Sequence, residues 1–196
     1  MRPSSKALQL WLILSSLALL VISIDPGRLG LTFNGELAGR QKYTWLSMVE
    51  YDQNIVDIFS DGDIVGIVRQ AHKDMETDHA RDDADWKKPE YNIDAKRLAR
   101  APAVMTGIVF GKRLYLASSV KGIGLGLAYL PTGGNDKVRE ALISCQVQSA
   151  QDKMHRTWAG CGEPMAAHIA FASGLKSLNG GKVSHTKRQK RAHALR

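Results

Sequence analysis

Two residues in this chain have the types and spacing for hydrolytic chemistry. They are Cys161 and Glu163, in the run Cys161-Gly162-Glu163-Pro164. A cysteine thiolate binds zinc, and a carboxylate two positions on reaches a metal-held water and moves its proton without being a ligand. Pro164 is tolerated in the first turn of a helix, where its missing N–H has no intrahelical partner anyway. The run therefore predicts a helix start, whose positive end favours negative charge. On this reading Glu163 is the candidate catalytic residue and Cys161 and His155 are the candidate metal ligands. The implied cofactor is zinc, the alternative being none. A catalytic zinc takes three protein ligands and keeps one position open. No cysteine follows Cys161, so His155, His168 and Cys145 are the nearby substitutes. A plainer account stands beside this one: an acid in a first turn is favourable by itself, and His168, next to Ile169 and Phe171, reads as structural.

The elements that would position these residues are partly visible. The stretch from Val104 to Ser118 predicts a β-hairpin, with strands Val104–Phe110 and Arg113–Ser118 joined by Gly111-Lys112, glycine first as a tight turn wants. Helices are predicted over about 136–150, with Val138, Leu142 and Cys145 on one face, and over about 163–173, ended by Gly174. Upstream, Trp45, Met48, Val49, Asp52, Val56 and Phe59 fall at helical spacing and predict a helix over 44–60. Asp63 is expected to cap a second helix running to about Met75. The charged run from His72 to Arg97 holds several His and Asp residues but matches no metal-loop spacing, and reads as a solvated helix end and loop. Gly122, Gly124 and Gly126 lack the strand-then-helix context of a phosphate loop.

Composition limits the classes of function. Hydrophobic residues make up 44% of the chain, enough for a packed core, and the formal net charge is +8. That charge sits at the ends. Residues 176–196 carry seven bases and no acid, and Arg2 and Lys6 add two more. The remainder is close to neutral, so no specific duplex DNA binding is expected, because that needs bases clustered on the fold. The segment 176–196 is expected to be a disordered basic tail that meets an acidic protein or other anionic partner. At the other end, Ala7 to Ile24 is uncharged between a basic flank and Asp25-Pro26-Gly27. Residues 7–24 thus predict a membrane-engaging segment, either a cleaved signal peptide or a retained anchor. The expected organisation is 1–24 as that segment, 25–42 as linker, 43–175 as an α+β domain and 176–196 as tail. The body would be single-pass and lumenal or extracellular, or secreted. There, a Cys145–Cys161 disulfide could contribute about 3 kcal/mol.

The order helix, hairpin, then Cys-x-Glu opening a helix resembles the zinc-dependent deaminase superfamily over roughly residues 100–175. The run "VMTGIVFGKRLYLASS" looks like that family's first hairpin, and "CGEPMAAH" looks like its (His/Cys)-x-Glu motif. The style of the motif further resembles small deaminase-like proteins of filamentous fungi. The resemblance implies an α+β fold with helices packed on a small sheet, zinc on Cys161, and Glu163 as proton shuttle for hydrolysis of an amidine-type C–N bond. It also implies two more ligands from a downstream Pro-Cys-x-x-Cys, which this chain lacks. The expectation is therefore a truncated or degenerate deaminase-like protein without complete zinc chemistry. The alternative is a non-enzymatic secreted or membrane-anchored interaction protein with the Cys145–Cys161 disulfide and a basic contact tail.

Overall fold

Residues 42–50 form a strand, not the start of the expected helix. The computed structural model describes residues 29–34, 42–81, 83, 84, 87, 101–122, 137–148 and 161–187. Its elements are β1 (Thr32–Asn34), β2 (Lys42–Glu50), α1 (Ile55–Ile58), α2 (Asp61–Ala80), β3 (Val104–Phe110), β4 (Arg113–Ser118), β5 (Lys121–Gly122), α3 (Lys137–Gln148), α4 (Gly162–Ala172) and β6 (Lys182–Lys187). The fold class is α+β. The sheet runs β1-β2-β4-β3-β6, with the short β5 also on β2, and its pairings are antiparallel.

In β2 the two-residue alternation of a strand decides the matter. Tyr43, Trp45 and Val49 turn to the α2 side and Leu46 to the α4 side, and the Trp45 ring meets Tyr43 edge-on at 5.4 Å and Phe33 of β1 at 5.3 Å. The end of the expected helix is a separate single turn, α1. The hairpin forms with the expected bounds, and Gly111 turns it with φ of +57°.

Helices cover both faces of the sheet. On one, α2 lays Ile64, Ile67, Val68, Ala71 and Met75 against Trp45, Met105, Val109, Leu114 and Leu116. The approach is so close that a Cβ on Gly107 would lie 2.6 Å from Val68 Cγ2. On the other face, α4 lays Met165, Ala166 and Ala170 against Ile108, Tyr115 and Ala117, with Val138 of α3 beside them. A hairpin buried on both sides needs apolar residues on both sides, which accounts for the largely apolar character of Val104–Phe110, broken by Thr106. Fully buried Met105, Leu114 and Leu116 each contribute about 1.5–3 kcal/mol of burial.

α2 starts three residues earlier and ends later than expected. Ser60, not Asp63, is the cap: its Oγ accepts from the Asp63 N–H, and the Asp63 carboxylate accepts from the Ser60 N–H at 2.9 Å. The helix continues through the charged run to Ala80 because His72, Met75 and His79 keep its inner face buried. Trp45 Nε1 donates to Asp78 at 2.8 Å, which fixes that last turn to the sheet.

Two further expectations are corrected. The segment from residue 176 is not a disordered tail as far as Lys187. Gly180 turns the chain with φ of +82°, and Lys182–Lys187 pairs antiparallel with β3 in the register Thr106 to His185. Residues 188–196 lie outside the described residues. The single-pass membrane assignment is also corrected. Among the described residues no helix is long and apolar enough to cross a membrane. α2 has the length, at 20 residues, but carries Asp, Glu, Arg and Lys throughout. The apolar run 7–24 lies outside the described residues.

Candidate functional site

Cys161 occupies the N-cap position of α4, in extended conformation (φ −76°, ψ 155°), and its side chain makes no capping bond. Gly162, Glu163 and Pro164 form the first turn, so the predicted helix start is in place. The start is held by contact. A Cβ on Gly162 would lie 2.5 Å from Thr106 Oγ1 and 2.9 Å from the Ala117 carbonyl oxygen. Only glycine lets the helix end approach β3 and β4 so closely. Cys161 and Glu163, both half-buried, flank that contact. Thr106 is fully buried, and its hydroxyl has no hydrogen-bond partner among the described residues.

The expected ligand set does not assemble among the described residues, where no three His, Cys, Asp or Glu side chains are grouped to hold a metal. Cys161 is in place, while His155 lies outside the described residues. Cys145 is on α3. His168 is buried, seven residues along α4 from Cys161; at about 1.5 Å per residue it is roughly 10 Å farther along the axis and cannot share an ion with it. Burial lowers the His168 pKa below the ordinary histidine value, and its Nδ1 has no hydrogen-bond partner among the described residues. The residues described thus do not fit a catalytic zinc, which needs three protein ligands. The Cys145 side chain lies outside the described residues, and the expected Cys145–Cys161 disulfide with it.

Sequence reasoning missed two contributions to this face. Thr106 lies in the middle of an apolar strand, and only the tertiary contact with Gly162 singles it out. His185, exposed on β6, sits across the strand pair from Thr106. The alternation Lys-Val-Ser-His-Thr-Lys was the available signal for its strand.

Comparison with protein families, with curated proteins and with solved structures finds no match to this chain.

Proposed function

We propose that this chain is a deaminase-like protein that keeps the Cys161-Gly162-Glu163 turn on its hairpin and lacks complete zinc chemistry. The observation that carries the reading is the seating of that turn on β3 and β4 through Gly162. The order of α2, hairpin and Cys-x-Glu helix supports it, as does a strand, β6, following that helix onto the hairpin. With no set of three ligands among the described residues, the turn retains a carboxylate, a thiol and the positive end of α4. Glu163 is suited to accept the N–H groups of an amidine, the group that this family hydrolyses, and so to bind a nucleoside base without turning it over.

The test combines native mass spectrometry for bound zinc with calorimetric titration of cytidine and adenosine into the wild type and Glu163→Gln. Expected are no stoichiometric zinc, no product, and nucleoside binding that Glu163→Gln weakens. One zinc per chain with turnover that Glu163→Gln abolishes would overturn the incomplete-centre reading. Failure of both nucleosides to bind would overturn the deaminase-like reading.

A further inference from the structure

β6 is the last strand in the sheet order, paired on one side with β3, so among the described residues its other side is an open edge. Such an edge presents a row of backbone donors and acceptors that can receive another strand. Three features show what this one would receive. Val183 is 58% exposed, the most exposed large apolar side chain among the described residues. A cleft runs beside the strand, lined by Asp61, Ile64 and Val65 of α2 and by Lys182, Val183 and Ser184. In the sequence, the charge that follows the strand is of one sign. Lys182 is matched by Asp61 at 2.6 Å, but the other end of the strand runs into Lys187-Arg188 and then Lys190-Arg191, and no acid occurs from residue 176 onward.

We propose that the open edge of β6 docks an extended, acidic segment of a protein partner, which adds to the sheet as a further strand. The partner's backbone supplies the hydrogen bonds, an apolar side chain covers Val183, and acidic side chains lie at the Lys187 end. A second copy of this chain suits the edge poorly. Full-length antiparallel pairing of β6 with itself sets Lys182 opposite Lys187 at both ends, and like charges directly opposite destabilise a ladder. The inference stands apart from the deaminase-like reading, since it uses neither Cys161 nor Glu163.

The experiment uses the full chain and a fluorescent peptide of alternating glutamate and valine, followed by anisotropy at fixed salt. Two comparison peptides are its lysine–valine counterpart and the same acidic peptide N-methylated at alternate amides on one edge or the other. The acidic peptide is expected to bind saturably and the lysine peptide not to bind. N-methylation of the edge that meets β6, and separately Val183→Asp and Lys187→Glu, should each weaken binding about tenfold, which is 1.4 kcal/mol. Hydrogen exchange should show new protection of β6 amides in the complex. Val183 is largely exposed, so its variant should keep the wild-type melting temperature, and Lys187→Glu gives a second reading. Equal binding by parent and both methylated peptides would overturn the proposal, because charge alone would then explain it. It would equally be overturned by no binding, by a single-stranded oligonucleotide displacing the peptide at lower concentration, or by self-association that Val183→Asp abolishes.

Discussion

Gly162→Ala tests the seating of α4 directly. The added Cβ would stand 2.5 Å from Thr106 Oγ1, 2.9 Å from the Ala117 carbonyl oxygen and 3.0 Å from Thr106 Cβ. None of these atoms is the end of a flexible side chain. Thr106 is β-branched and held in a central strand, and the carbonyl belongs to the backbone of β4. Forcing a methyl into packed surroundings costs about 1–3 kcal/mol. Alanine's advantage over glycine is a helix-interior effect of at most about 1 kcal/mol, and Gly162 is the first residue of its helix. A net loss of about 2 kcal/mol should lower the melting temperature by roughly 4–8 °C in a chain of this size. Thr106→Ala removes the nearest of the three contacts, the one to Oγ1, while the Cβ stays, so Gly162→Ala with Thr106→Ala should recover about 1 kcal/mol relative to additivity. Calorimetric melting of the four proteins in this cycle measures both quantities. A Gly162→Ala protein that melts at or above the wild-type temperature would show that α4 does not rest on the hairpin as described.

The remaining predictions concern the other face and the buried histidine. Gly66→Ala, on α2 with nothing within 4 Å of the new methyl, should raise stability by about 0.5–1 kcal/mol in a urea titration. Trp45→Phe removes the 2.8 Å bond to Asp78 and should cost about 2 kcal/mol by the same titration, because bonds to charged groups are the stronger ones. Burial depresses the His168 pKa, so between its folded value and the ordinary 6.5 the unfolded chain binds the extra proton. Stability contributed by neutral His168 is therefore full above about pH 6.5 and is lost as pH falls towards the folded value. His168→Gln, followed by urea unfolding from pH 7 downward, should flatten that part of the profile; an unchanged slope would rule the histidine out as its source.

How much could be read from the sequence depended on whether a signal was local. The hairpin was legible because Gly111-Lys112 punctuates two strands whose residue types suit a sheet, and the start of α4 was legible because Pro164 restricts where a helix can begin. β2 was misread because its residues and those of α1 together satisfy a helical period, although they belong to two elements separated by a bend. The aromatic contacts of Phe33, Tyr43 and Trp45 decide that case, and they depend on pairing with β1. α2 was cut short because its charged residues hid the inward row His72, Met75 and His79. β6 was missed because charge was weighed above alternation, and its pairing with β3 is non-local. In the candidate site, Cys161 and Glu163 could be named from spacing, whereas Gly162's close approach to Thr106 is visible only in three dimensions.

The late position of β6 in the chain shapes how the molecule comes into being. β3 precedes β6 by many residues and by two helices. During synthesis β3 can pair with β4 at once, but its opposite side stays bare until residues 182–187 have left the ribosome. For that interval the nascent chain carries an uncovered sticky strand in the interior of its future sheet, the condition under which chains adhere to one another. A protein cut after Leu175 would remain in that condition permanently. Losing this short polar strand should therefore show itself as poor solubility during expression.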